Sequence, residues 1–114
     1  MNRPVDFGPD NLARIQSILG TLLQPSASVW VFGSRATGTA RRDSDLDLVI
    51  DIGSPLPRTL RHQLLDAFEA SDLPYPVDLV DWQTISDDFR KLIAQDRVLV
   101  WGTEARPFTP FTPF

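Results

Sequence analysis

Apolar residues recur along this chain with two different periods, and the switching between them predicts helices that alternate with strands. Helical spacing governs three segments, while continuous or alternating apolar runs mark four others. In chain order, the predicted elements are helix 11–23, strand 28–32, helical turn 34–38, strand 45–51, a helix from 57 or 58 to 71, strand 77–82, helix 87–95 and extended segment 97–101. This order predicts an α/β (α+β) domain with one small mixed β-sheet and flanking helices.

The helices carry apolar stripes that we expect to pack on the sheet. The stripe of the first helix consists of Leu12, Ile15, Ile18, Leu19, Leu22 and Leu23. Phe89, Leu92 and Ile93 form the predicted apolar side of the last helix. Asp10 and Ser86 precede the first and last helices, where a short polar side chain commonly caps the free backbone N–H groups.

In the strand 45–51 the even positions are Leu46, Leu48 and Ile50, and the odd positions are Asp45, Asp47, Val49 and Asp51. Alternation places Leu46, Leu48 and Ile50 on the core face, and Asp45 and Asp47 together on the opposite face. Carboxylates two residues apart on a strand are roughly 6.5–7 Å apart along the chain. Without a counter-charge they repel by about 2–3 kcal/mol at an effective dielectric constant near 20. A divalent cation such as Mg²⁺ would convert that repulsion into binding.

A third carboxylate is expected on the strand 77–82, because phosphoryl transfer between two metal ions uses several oxygen ligands. Asp78 is the preferred candidate, since it lies in an apolar run, and Asp81 is the alternative. An isolated Asp-x-Asp is commonly just a solvated strand face. The nearby glycine–serine turn and Asp78 favour a metal site instead.

Gly33 and Ser34 follow the first strand, ten residues before Asp45. Glycine lets the backbone approach a phosphate closely, and backbone N–H groups and the serine hydroxyl can bind phosphate oxygens. Arg35, Arg41 and Arg42 lie in the same loop, where they would bind a triphosphate or only keep the loop soluble. We expect Arg35 to be functional and leave both readings open for the other two.

Composition narrows the class of protein further. The 114 residues are 42% hydrophobic and 23% charged, as in an ordinary soluble domain. The sequence shows no signal peptide and no membrane-spanning run, and the absence of cysteine excludes disulfides and thiolate zinc sites, so a cytoplasmic protein is expected. The net charge of −4 argues against strong binding to duplex nucleic acid. A single histidine, His62, excludes a multi-histidine metal site.

The chain divides into a globular domain, residues 1–102, and a Pro/Phe-rich C-terminal tail, residues 103–114. The tail repeats Phe-Thr-Pro, which neither continues a helix nor suits a central strand. It is either poorly ordered or a short docking segment, and the pattern favours neither reading.

The complete motif, Gly33-Ser34, ten residues, then Asp45-x-Asp47, resembles the signature of the nucleotidyltransferase superfamily related to DNA polymerase β. The string GSRATGTARRDSDLDL is very similar to that of the minimal nucleotidyltransferase (MNT) domain proteins. The resemblance implies a polymerase β palm-like fold with Asp45, Asp47 and Asp78 as catalytic carboxylates and metal ligands. It also implies two Mg²⁺ ions and a nucleoside triphosphate, ATP by expectation, held by Gly33, Ser34, Arg35 and Arg42.

The resemblance implies a partner as well. MNT proteins pair with HEPN-domain toxins, and as antitoxins they are expected to neutralise the toxin by transferring AMP to it, by binding it, or both. Two alternatives stay open: an antitoxin that acts by binding alone, and the catalytic subunit of a small-molecule (antibiotic) nucleotidyltransferase. Since no second domain for a primer or an antibiotic is visible, a protein acceptor is favoured.

Overall fold

The computed structural model describes residues 7–8, 10–41 and 44–102. Its elements are α1 Asn11–Leu22, β1 Ser28–Phe32, α2 Ser34–Thr37, β2 Leu46–Asp51, α3 Arg58–Ala70, β3 Val77–Asp81, a 3₁₀ turn Trp82–Thr84, α4 Asp87–Asp96 and β4 Val98–Gly102. Every predicted element is present, with ends that differ by at most one residue. The predicted tail, 103–114, and Arg42 lie outside the described residues.

The four strands form one sheet in the order β3-β2-β1-β4. β1 runs antiparallel to both β2 and β4, whereas β2 and β3 are parallel. A parallel neighbour requires a crossover connection, which α3 supplies. The small mixed sheet predicted from the sequence is therefore confirmed.

One face of the sheet packs on α1 and α3 and forms the main core. Leu46, Leu48 and Ile50 are fully buried there, as the alternation of the strand predicted. Most of the predicted stripe of α1 joins this core, but Leu12 is 37% exposed, so its assignment to the stripe was wrong. Leu12 lies in the first turn of α1.

The opposite face of the sheet carries a second, smaller core that the sequence did not predict. Trp30, Val49, Trp82 and Ile93 are buried together where α4 covers the sheet. Leu92 was assigned to the apolar side of α4, but it is 60% exposed, and that assignment was wrong. At the other end of this face Asp47 is only half-buried and Asp78 is exposed, so that end is open to solvent.

Of the two predicted helix caps, one is confirmed. The Ser86 hydroxyl accepts a hydrogen bond from the backbone N–H of Phe89 at 3.2 Å. Asp10 makes no capping hydrogen bond, and its backbone has the left-handed φ of 62°. In the described part of the chain, no helix has both the length and the apolar character needed to cross a membrane.

Candidate active site

The glycine–serine turn lies directly against one of the predicted carboxylates. Gly33 follows β1 with φ 75° and ψ −153°, a conformation that is essentially restricted to glycine. A Cβ atom at this position would lie 2.6 Å from Oδ2 of Asp47. The missing side chain is therefore what allows the turn and the carboxylate to meet.

The register of the sheet brings the acidic residues together. Asp47 pairs with Phe32 of β1 on one side and with Asp78 of β3 on the other. Directly paired neighbours in a sheet point to the same face, so Asp47 and Asp78 share the open end of the second face. Asp45 immediately precedes β2. Asp47 is half-buried, whereas Asp45 and Asp78 are exposed.

Negative charge is concentrated at this site. Burial, followed by the charges of Asp78 and Asp45, raises the pKa of the Asp47 carboxyl above its ordinary value. Among the residues described, the recorded ion pair joins Arg90 to Asp87, so none of the three acids has an arginine or lysine counter-charge there. No three potential ligands within the described ranges are already gathered closely enough to hold a metal ion. Like charges that share a face repel, and a bound divalent cation would offset that repulsion.

Asp81, the alternative third carboxylate, does not belong to this cluster. Its side chain is buried and accepts hydrogen bonds from the backbone N–H groups of Leu56, at 2.7 Å, and Gln83, at 3.0 Å. It pairs in register with Ile50, at the far end of β2. Asp81 therefore anchors a loop and a turn, and the preference for Asp78 rests on position in the sheet.

Ser34 is half-buried beside Gly33. Its carbonyl closes the turn by accepting hydrogen bonds from the backbone N–H groups of Gly38 and, at 3.0 Å, Thr39. Its hydroxyl donates to no group in the described ranges. That hydroxyl is accordingly available to a phosphate oxygen.

The arginines of the loop differ in what the structure places around them. Arg35 is 4% exposed, and its guanidinium donates to the backbone carbonyls of Ser44 and Arg41. The side chain of Arg41 is exposed. The predicted contact of Arg35 with a triphosphate stays a prediction, as does that of Arg42.

Tyr75 is the residue near the site that the sequence analysis missed. Its ring lies under the Arg35 guanidinium, 3.8 Å from ring centroid to Cζ, and its hydroxyl donates to the Phe7 carbonyl at 2.8 Å. The only sequence signal is a lone aromatic residue between Pro74 and Pro76. Cation–π pairs between distant positions leave no periodic pattern in a single sequence.

Comparison with known proteins identifies the family of this chain. A family model described as "Nucleotidyltransferase domain" matches residues 12–100. The chain is 45% identical over 100 residues to the "Probable protein adenylyltransferase MntA" of Haemophilus influenzae, covering 88% of this chain and 87% of that protein. It is 28% identical over 103 residues to the protein adenylyltransferase MntA of Shewanella oneidensis, covering 90% of this chain and 66% of that protein.

A solved structure shows the same fold. The crystal structure of a toxin–antitoxin with AMP-PNP matches with a TM-score of 0.69 and 29% identity, over 82% of this chain and 75% of that chain.

Proposed function

Because this chain belongs to the nucleotidyltransferase domain family, we propose that it is a Mg²⁺-dependent protein adenylyltransferase that acts in the cytoplasm as an antitoxin. It transfers AMP from ATP to a hydroxyl group of a HEPN-type toxin partner. The observation that carries this proposal is the register that sets Asp47 beside Asp78 while Gly33 lies against the Asp47 carboxylate. The carboxylates and the glycine–serine turn thereby lie at the same end of the sheet.

The proposed roles follow from position. Asp45 and Asp47, with Asp78, are carboxylates of the kind that bind Mg²⁺, and none has a counter-charge among the described residues. Bound Mg²⁺ would offset the charge of the phosphates. The Gly33 turn and the Ser34 hydroxyl bind phosphate oxygens, and Arg42 is proposed to assist them. Asp78, on the exposed edge strand, accepts the proton of the incoming hydroxyl.

The reaction exchanges one bond for another. The acceptor oxygen forms a bond to the α-phosphorus of ATP, and the bond from that phosphorus to the pyrophosphate oxygen breaks. The hydroxyl proton passes to the Asp78 carboxylate, and pyrophosphate leaves. This chain's groups orient the phosphates and hold the proton.

The choice of acceptor rests on the relatives. Two of them are named protein adenylyltransferases, and the solved structure at 29% identity is a toxin–antitoxin with AMP-PNP. The resemblance to MNT proteins implies that the toxin is a HEPN-domain protein. Neutralisation by contact alone is the outcome against which the proposal is tested.

The test is a transfer assay. The purified protein is incubated with Mg²⁺ and each α-labelled nucleoside triphosphate in turn, with and without the HEPN-type protein encoded beside it. We expect label on the partner, from ATP in preference to the other nucleotides. A stable complex in which the partner never acquires label would contradict the proposed activity and support inhibition by contact.

Asp78 and Asp81 form a matched pair on one strand, and their variants separate catalysis from stability. We expect Asp78→Asn to lower the transfer rate by about 100- to 10,000-fold, the usual contribution of general acid–base catalysis, without unfolding the protein. Asp81→Ala should lower the melting temperature, because it removes the acceptor of two backbone N–H groups, each loss costing about 1–3 kcal/mol.

The measurements are initial transfer rates and thermal melts of both variants. Folded Asp81→Ala protein should retain transfer below its melting temperature. If Asp81→Ala were inactive while folded and Asp78→Asn were fully active, the third carboxylate would be misassigned.

A further inference from the structure

Arg35 is one of the most buried charged residues in the described part of the chain, with 4% of its surface exposed. Withdrawing a guanidinium from water is costly unless its N–H groups are hydrogen-bonded. Its contacts run to segments that lie far apart in sequence but next to the three acids.

The first contact fixes the chain just before Asp45. Nε and Nη2 of Arg35 both donate to the Ser44 carbonyl, at 3.1 and 2.7 Å, and Nη2 also lies 3.4 Å from the Arg41 carbonyl. Ser44 is the residue before Asp45. Because β2 begins only at Leu46, no strand pairing holds Asp45, and its position depends on this loop.

The second contact reaches the segment that leads to Asp78. The Arg35 guanidinium stacks on the ring of Tyr75 at 3.8 Å. The next residue, Pro76, accepts a hydrogen bond from the Leu46 N–H at 2.9 Å, one residue after Asp45. Tyr75 is itself held by its hydrogen bond to the Phe7 carbonyl.

Arg35 also directly follows Ser34, the proposed phosphate-binding residue. From these contacts we infer that Arg35 is a positioning residue: through Tyr75 and the Ser44 carbonyl it restrains the segments that carry Ser34, Asp45 and Asp78, and so limits the rearrangement that metal and nucleotide binding require. The planar fork of arginine makes this possible, since lysine cannot donate two parallel hydrogen bonds and stack at the same time. The inference rests on the proposed nucleotidyl transfer.

The central variant is Arg35→Lys, which keeps the positive charge but loses the planar guanidinium group with its several N–H donors. Since a displacement of about 1 Å at a reacting group costs about 100-fold in rate, we expect kcat to fall about 100-fold. The KM for ATP should not change, because a positioning residue acts on the transition state and not on ground-state binding. A direct triphosphate contact would instead raise KM, and that result would overturn the inference.

A second readout does not depend on activity. Removal of a group that orients metal ligands typically lowers metal affinity 10- to 100-fold. We expect Arg35→Lys to weaken Mn²⁺ binding, measured by electron paramagnetic resonance, by about that factor. Unchanged Mn²⁺ affinity together with wild-type kcat would overturn the inference.

Variants of Tyr75 test the same contact without changing Arg35. Tyr75→Phe retains the ring but loses the hydrogen bond to the Phe7 carbonyl, so it should lower kcat less than loss of the ring does. Tyr75→Leu loses the stacking and should lower kcat about 10-fold, the scale of one cation–π contact. Equal rates in the two variants would overturn the role of the ring.

Arg90 supplies the matched control, because it makes the same two kinds of contact elsewhere. Its Nε donates to the Trp82 carbonyl at 2.9 Å, and its guanidinium stacks on the Trp82 ring at 5.2 Å. Arg90→Lys should lower the melting temperature as Arg35→Lys does, but leave kcat and Mn²⁺ affinity unchanged. A wild-type protein that neither transfers AMP nor binds Mn²⁺ would refute the proposed function, and the inference with it. If the wild type transfers AMP and binds Mn²⁺, and Arg35→Lys does both equally well, only the inference about Arg35 is refuted.

Discussion

Asp47→Asn is expected to reduce AMP transfer by on the order of 1,000-fold or more. Loss of even one group that stabilises transition-state charge costs about 100- to 1,000-fold, and Asp47 is central to the acidic cluster. It lies between Gly33 and Asp78, so its carboxylate faces both the proposed phosphate turn and the proposed base. The measurement is the initial rate of label transfer to the partner. Asp45→Asn should have an effect of the same kind.

The stability of the same variant should move in the opposite direction. Burial and the neighbouring acids raise the pKa of Asp47 in the folded chain above its ordinary value, so the folded state binds this proton more tightly than the unfolded state does. The free energy of unfolding of the wild type therefore falls as the pH rises from the ordinary carboxyl value through the raised one. Above the raised pKa, where Asp47 is charged in the folded chain, Asp47→Asn should melt at a higher temperature than the wild type.

Asp51→Asn is the matched control, because Asp51 is on the same strand at the far end of the same face. Its Oδ1 accepts hydrogen bonds from the Gly53 N–H and the Gln83 side chain, and an asparagine oxygen can accept both. Transfer should therefore persist. Wild-type transfer by Asp47→Asn would contradict the assignment of the metal site, and a lower melting temperature would contradict the account of its charge.

Gly33→Ala is expected to impair both folding stability and transfer. Backbone strain at such a glycine position costs about 1–3 kcal/mol for other residues, and each kcal/mol lowers the melting temperature by roughly 4–8 °C in a domain of this size. The added methyl group would also lie 2.6 Å from Asp47 Oδ2, so the carboxylate must shift. A displacement of that kind should reduce transfer about 100-fold.

Gly53 separates the two causes. It also has a positive φ, +83°, but a Cβ atom there meets nothing within 4 Å. Gly53→Ala should therefore lower the melting temperature through strain alone and leave the transfer rate unchanged. If Gly33→Ala were no less active than Gly53→Ala, the contact between the turn and the Asp47 carboxylate would have no functional importance.

Much of this fold could be predicted because periodicity records which face of each element is buried. The alternation of β2 placed Leu46, Leu48 and Ile50 in the core, where they are fully buried. On the opposite face of the sheet, the alternation of β2 did not predict burial correctly. Val49 stands between Asp47 and Asp51 in the alternation, so it was grouped with polar positions, yet it is fully buried beneath α4.

The candidate site likewise has one part that the sequence predicts and one part that depends on the fold. The spacing of Gly33, Ser34, Asp45 and Asp47 is local, and a motif of that kind is readable in one sequence. The choice between Asp78 and Asp81 is not local, because both lie on β3 in apolar surroundings. Only the parallel register, which sets Asp78 against Asp47 and turns Asp81 towards the Leu56 and Gln83 N–H groups, separates them.

The sequence by itself determined the order of helices and strands, the main core and the chemistry of the glycine–serine turn with its acid pair. These depend on contacts between residues close together in the chain, where side-chain period and backbone preference are sufficient. Tertiary structure alone decided the second core, the pairing of Asp78 with Asp47 and the stacking of Arg35 on Tyr75. Each of these joins residues that are distant in sequence, and their meeting depends on strand register and helix packing, which leave no periodic trace in a single chain.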